Sequence, residues 1–75
     1  MAGRNIWTTT DKNGGWNVRV EGNNRISRHF DRKIEAIEYG RDRAINNRSE
    51  HFIQNRDGRI GSRNSYGNDP YPPLG

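Results

Sequence analysis

Turn-forming residues interrupt the first part of this chain every few positions, and this spacing leaves room there only for short strands. Clusters rich in glycine and asparagine lie at residues 11–15 and 22–24, and both residue types tolerate the positive φ angles of tight turns. The segments between them carry aromatic and β-branched residues, which favour strands. We therefore predict strands at residues 6–10, 16–20 and 25–30, joined as a short meander.

The second predicted strand has the clearest pattern. Trp16, Val18 and Val20 alternate with the polar Asn17 and Arg19. This period of two is typical of a strand with one buried face. If the apolar set faces the core, Asn17 and Arg19 must point to the opposite face of the sheet.

A single helix is predicted at residues 32–45, with Asp31 as its N-cap. Gly40 lies inside it, where glycine costs about 1 kcal/mol relative to alanine. Close packing of the helix on the sheet explains this glycine better than a functional hinge does. The expected contact stripe consists of small and branched residues, namely Ile34, Ala36, Ile37, Gly40, Ala44 and Ile45.

A second hairpin should follow the helix. The pair Asp57-Gly58 lies between segments 50–55 and 59–63, and Asp-Gly is a strong hairpin signal. We expect Phe52, Ile53 and Ile60 to dock this hairpin on the same core. The fold class is then α+β, in the order β-β-β-α-β-β, with one helix packed on an antiparallel or mixed sheet.

The domain organisation follows from the length and from the position of the prolines. The 75 residues make one small domain, expected at residues 1–64. All three prolines fall in the last six residues, so residues 65–75 are predicted to form an extended tail. Leu, Ile, Val and Phe together number only 12, and a core this thin would gain from dimerisation.

Several function classes lack the residues they need. The chain has no cysteine, which excludes disulfides and thiolate chemistry. His29 and His51 are isolated and have no metal-ligand spacing, and the carboxylates form no recognisable acid and base pair. We expect no enzyme activity, no cofactor, no metal and no small-molecule substrate. No segment is apolar enough for a membrane span or a secretion signal, so a cytoplasmic protein is expected.

The net charge of +4 lies outside the predicted helix and its Asp31 cap, because residues 31–45 contain four basic and four acidic side chains. Arginine outnumbers lysine by 11 to 2, and guanidinium binds phosphate or guanine in a bidentate fork. We therefore predict a nucleic-acid-binding sheet face. Its candidate residues are Asn17, Arg19, Arg25, Arg28, Arg59 and Arg63.

The sequence leaves a second interpretation open for the arginines and another for Trp7. The arginines could merely keep the protein soluble and pair with Glu21 and Glu50. Trp7 is a possible stacking group for bases, but a tryptophan in a chain with so little apolar mass is more often part of the core.

A different function class is a protein-binding or homodimeric accessory module. A proline-rich, aromatic tail loses little entropy when it docks in a groove, and the outer strands of a small sheet can pair with a second copy. The tail residues that would contact a partner are Tyr66, Asp69, Pro70, Tyr71, Pro72 and Pro73. The tail could instead fold back through Tyr66 and Tyr71 and cover the core of its own domain.

Several short motifs together resemble a family of small bacterial and phage proteins known only as a domain of unknown function. They are Gly15-Trp16-Asn17-Val18, Glu21-Gly22-Asn23, Phe30-Asp31, Glu35-Ala36-Ile37, Asp57-Gly58-Arg59-Ile60 and Ser65-Tyr66-Gly67-Asn68-Asp69-Pro70. The resemblance brings no activity with it. This chain departs from the family pattern at Gly40, where alanine is usual, and at Gln54, where histidine is often seen.

A weaker resemblance concerns the fold alone. The Trp-led second strand, Phe30-Asp31 and the Glu35-Ala36 pair resemble the three-stranded sheet plus helix of plant ethylene-response-type domains and of the arm-binding domains of some integrases. Those modules place their sheet in the major groove of DNA, which raises the expectation of a DNA partner by analogy.

Overall fold

The computed structural model describes residues 3–66. It contains five strands and one helix in the order β-β-β-α-β-β, which confirms the predicted α+β class. The elements are β1 (Ile6–Thr10), β2 (Trp16–Val20), β3 (Arg28–Phe30), α1 (Lys33–Asn47), β4 (Glu50–Gln54) and β5 (Ile60–Ser65).

The strands form one mixed sheet in the order β3-β2-β1-β4-β5. β1 lies at the centre, antiparallel to β2 and parallel to β4. The parallel pair needs a crossover, and α1 supplies it on one face of the sheet. The helix packs across β1 and β2 and reaches β3 and β4. The opposite face of the sheet has no layer over it among residues 3–66.

The core lies between α1 and the sheet. Ile6, Trp16, Val18 and Val20 point from β1 and β2 towards the helix and are buried. The prediction for the alternating β2 pattern is thereby confirmed. Its physical basis is that successive side chains of a strand point to opposite faces.

The helix contacts the sheet through its smallest residues, Ala36, Gly40 and Ala44, which are all buried. Ile34 and Ile45 were expected in this stripe, but they are 51% and 47% exposed. The helix and the sheet approach closely along the row of small residues, and the area of contact is narrow. Ile34 and Ile45 lie at the margin of that area and remain in solvent.

Gly40 allows that close approach. A Cβ atom at this position would lie 2.5 Å from His51 Nε2 and 2.8 Å from Thr8 Oγ1. His51 is fully buried, and its Nε2 is hydrogen-bonded to Thr8 Oγ1 at 2.7 Å. Burial, together with the Arg41 cation, lowers the pKa of His51 to about 4. The packing interpretation of Gly40 therefore agrees with the structure.

Three local predictions were wrong. The third strand is only Arg28–Phe30, because residues 21–27 form turns and bends. The helix begins at Lys33, because the backbone is still extended at Arg32. Arg32 is therefore the N-cap in place of Asp31, and no side chain makes a capping hydrogen bond there. Of the three apolar residues expected to dock the hairpin, Ile53 alone is buried on the helix face, beside the buried His51. Ile60 is 48% exposed, and Phe52 lies on the other face.

Candidate nucleic-acid interface

Four side chains form a row across the uncovered face of the sheet. Arg19 on β2 is the register partner of Trp7 on β1, Trp7 is the partner of Phe52 on β4, and Phe52 is the partner of Arg63 on β5. Directly opposed residues point to the same face. The sheet thus places two aromatic rings between two arginines, and we call this set the arginine–aromatic row.

The two rings at the centre of the row stack on each other. The ring centroids of Trp7 and Phe52 are 4.4 Å apart and the planes are inclined by 20°. The indole Nε1 of Trp7 donates a hydrogen bond to Glu21 Oε1 at 3.1 Å. Both rings are half-buried, so they reach solvent although they pack on one another.

The two arginines of the row differ in their surroundings. Arg19 is half-buried, and its Nε is shielded from solvent without a hydrogen-bond partner among the described residues. Arg63 is 63% exposed, with its Nε 3.7 Å from Glu50 Oε1. An exposed pair of this kind contributes only about 0–1 kcal/mol. The exposed guanidinium of Arg63 and the terminal N–H groups of Arg19 are therefore the donors that remain for an anionic ligand.

Asn17 lies on the same face as the row, but it is buried. Its side-chain oxygen is 2.7 Å from His29 Nδ1, and the same ring nitrogen lies 3.4 Å from Asp11 Oδ2. The backbone N–H of Asn13 donates to Asp11 at 2.8 Å. This hydrogen bond, then the side-chain hydrogen bond with Asn17 and the nearby His29, hold the pKa of Asp11 below its usual range. Asn17 thus supports its neighbours and exposes little of its own surface.

The structure does not bring the other candidate arginines into the row. Arg28 lies on the helix side, with its guanidinium carbon 5.3 Å from the centre of the Phe30 ring and 5.8 Å from that of Tyr39. Arg25 is exposed in the segment before β3. Arg59 is exposed in the turn before β5, and its Nε is 3.9 Å from Asp57 Oδ2. Of the six predicted residues, Asn17, Arg19 and Arg63 share the uncovered face.

Comparison with protein families gives one result that bears on this arrangement. The model of DUF2188, described as an uncharacterized protein conserved in bacteria, matches residues 6–66. The chain belongs to the DUF2188 family. The resemblance inferred from the sequence motifs is thereby confirmed. Neither the curated proteins nor the solved structures contain a significant match to the chain.

The match to DUF2188 covers every strand and the helix, and therefore all four residues of the row. The description of the family includes no activity, ligand or partner. Any function of this DUF2188 domain must accordingly be argued from its own side chains.

Sequence reasoning missed Phe52 and gave Trp7 the wrong preferred role. In β1, Ile6 and Trp7 are adjacent apolar residues, and in β4 Phe52 and Ile53 are adjacent. Alternation cannot tell which member of such a pair faces the core. The sequence did contain one relevant signal. A single helix covers one face of the sheet, so only one residue of each adjacent apolar pair can be buried under it.

The predicted tail lies mostly outside the described residues, and this applies to Asp69, Pro70, Tyr71, Pro72 and Pro73. Tyr66 is described. Its ring packs against the core, and its backbone N–H donates to Ser49 O at 3.1 Å. Tyr66 therefore belongs to the folded unit of the DUF2188 domain.

No three His, Cys, Asp or Glu side chains within residues 3–66 are grouped so that they could hold a metal ion. The helix in the same range is not long and apolar enough to cross a membrane.

Proposed function

We propose that this DUF2188 domain is a non-enzymatic module that binds nucleic acid through the uncovered face of its sheet. The observation that carries the proposal is the arginine–aromatic row. Guanidinium groups bind phosphate, and aromatic side chains on a sheet contact bases. The row combines both chemistries on a single accessible surface. Such a partner also fits the cytoplasmic location expected from the sequence.

The spacing of the row supports this proposal. Arg19 and Arg63 are separated by three strand spacings, which is about 14 Å at the usual distance between strands. A ligand that lies across the rings can therefore place phosphates near both cations. The helix provides a contrast, because Lys33, Arg41 and Arg43 are balanced by Glu35, Glu38 and Asp42. Nucleic acid is expected to prefer the sheet face.

Salt dependence and charge reversal test the proposal. Binding of fluorescent DNA and RNA oligonucleotides should weaken with increasing salt, with a log–log slope of about −0.7 to −0.9 for each phosphate contacted. Arg63→Glu and Arg19→Glu should each reduce the affinity at least several-fold. Arg43→Glu on the helix is the matched control and should have a smaller effect.

The proposal fails if no oligonucleotide binds at about 50 mM salt, where electrostatic attraction is strong. It also fails if Arg43→Glu weakens binding as much as Arg63→Glu. In that case the attraction would follow the total charge of the domain and would not depend on the sheet face.

Self-association through the β5 edge is a second candidate function. All six residues of β5 are exposed, and β5 is one of the two outer strands of the sheet. Free backbone groups on such an edge can pair with another copy. Sedimentation at several concentrations distinguishes a dimer from a monomer, and a monomer at all concentrations would exclude this candidate.

A further inference from the structure

A groove of about 570 Å³ lies beside the row, between Trp7 and the β2 side of the uncovered face. Its volume is within the range of small-ligand sites. The residues that matter for its chemistry are Trp7, Thr9, Arg19, Glu21, Gln54 and Gly58. The first four belong to β1, β2 and the residue after β2, whereas Gln54 and Gly58 come from the second hairpin. The groove is therefore formed only when the hairpin is docked.

The indole of Trp7 offers one face to this groove. Phe52 stacks on the other face and is not among the groove-lining residues. The hydrogen bond from Nε1 to Glu21 fixes the rotation of the indole. A planar ligand that enters the groove consequently meets an oriented aromatic wall, which is the arrangement used for base stacking.

Hydrogen-bond donors face the same space. The Oε1 atom of Gln54 accepts from the backbone N–H of Thr10 at 2.9 Å, and this contact determines which way the amide points. The amide nitrogen of Gln54 makes no hydrogen bond within the described residues, so its two donors are free. The Nε of Arg19 is buried and has no hydrogen-bond partner among the described residues, so this guanidinium can reach a ligand in the groove only through its terminal N–H groups.

An acceptor completes the set. Glu21 uses one carboxylate oxygen for Trp7, and its second oxygen can accept from a ligand. Arg19 and Glu21 reach the groove from the β2 side and Gln54 from the β4 side. Donors from Arg19 and Gln54 together with an acceptor from Glu21 match guanine, which has the acceptors O6 and N7 and N–H donors on its Watson–Crick edge. That edge is free only in an unpaired base.

We propose that the groove between Trp7, Arg19 and Gln54 holds one unpaired base of a single-stranded nucleic acid and that guanine fits it best. This inference rests on the proposed function and specifies its ligand. The arginine–aromatic row attracts the phosphate backbone. The groove binds a nucleotide that carries a base more tightly than an abasic one.

Three oligonucleotides of equal length test the groove. They are an oligothymidylate with one central guanine, the same strand with an abasic sugar in place of that guanine, and the fully paired duplex of the first. All three carry the same phosphates per strand. The guanine strand should bind about tenfold more tightly than the abasic strand, and it should shift the indole N–H resonance of Trp7. That resonance is assigned with Trp7→Phe, and buried Trp16 serves as an internal control.

Gln54→Glu is the decisive variant, because its carboxylate still accepts from Thr10 while the two amide donors are lost. Asn64→Asp makes the same change of charge on β5, at the partner position of buried His51 on the helix side of the sheet. Gln54→Glu should reduce the preference for guanine over the abasic strand at least threefold, and Asn64→Asp should leave it unchanged.

Equal binding of the guanine and abasic strands, with an unmoved Trp7 resonance, would overturn the groove assignment while the proposed function stands. Equal binding of the guanine strand and its duplex would likewise overturn the groove assignment and leave the proposed function standing. A loss of all binding to every oligonucleotide would overturn the proposed function itself. An unchanged guanine preference in Gln54→Glu would also overturn the groove assignment, because Gln54 is one of the three residues that define the site.

Discussion

The two faces of the sheet use large and small residues in opposite ways. The face under α1 is closed by Ala36, Gly40 and Ala44 and holds a buried histidine. The uncovered face carries the stacked rings of Trp7 and Phe52. A chain with little apolar mass thus leaves two of its large aromatic side chains partly in solvent. The helix face maintains the fold, and the uncovered face is the surface available for a ligand.

The two tryptophans provide the strongest test of this difference. Trp16 is 5% exposed in the core, whereas Trp7 lies on the uncovered face. We expect Trp16→Ala to lower the free energy of unfolding by about 3–5 kcal/mol, a large part of the stability of a small domain. Trp7→Ala should lower it by only about 1–2 kcal/mol, mainly through the lost ring contact. Urea unfolding followed by far-UV circular dichroism measures both values.

Equal losses for Trp16→Ala and Trp7→Ala would contradict the division between the two faces. Phe52→Ala is a second check. It should be additive with Trp16→Ala, because the two side chains lie on opposite faces of the sheet, but coupled to Trp7→Ala, because these rings touch.

Gly40→Val tests how tightly the helix face is packed. The added side chain meets His51 and Thr8 in a buried site, and overpacking of this kind typically costs about 1–3 kcal/mol. A second change, His51→Ala, should recover part of the loss by making room. The matched control is Glu38→Val at an exposed position of the same helix, which should cost less than about 1 kcal/mol. No recovery in the double variant would show that Gly40 does not act through His51.

Acid should weaken the helix face through His51. Its pKa is about 4 in the folded protein against 6.5 as the ordinary value, so the unfolded chain binds the proton more tightly. The stability from the neutral ring is complete above about pH 6.5 and is lost as the pH falls towards 4. Between pH 7 and pH 5 the expected loss is about 2 kcal/mol.

Urea unfolding at several pH values measures this slope. His51→Gln should flatten it between pH 7 and pH 5, because the amide does not titrate there. His29→Gln, at a partly exposed histidine, is the matched control and should retain most of the slope. A slope that persists in His51→Gln would show that another group causes the acid sensitivity.

The smallest expected effect on stability belongs to the charged end of the row. Arg63→Gln removes an exposed contact with Glu50, so the free energy of unfolding should change by less than about 1 kcal/mol. The same variant should weaken nucleic-acid binding. If Arg63→Gln lowered the free energy of unfolding strongly and left nucleic-acid binding unchanged, the roles assigned to the two faces would be reversed.

The sequence predicted the element order, the alternation in β2 and the packing role of Gly40 from local patterns. It was wrong about the helix cap and about the length of β3. The backbone is still extended at Arg32, and turns and bends occupy residues 21–27. The sequence predicted that Arg19 points away from the core, since Trp16, Val18 and Val20 leave no other choice. It did not predict the partners of Arg19 in the row.

What the sequence determined by itself is therefore local: turns at glycine and asparagine clusters, one strand with a clear buried face and one helix of zero net charge. Only the tertiary structure decided that β1 pairs with β4 in parallel and that α1 covers a single face. These long-range choices brought Trp7 next to Phe52, although the two are far apart along the chain. The physical reason is that alternation fixes the face of a side chain within a strand, while register between distant strands depends on how the whole core is covered.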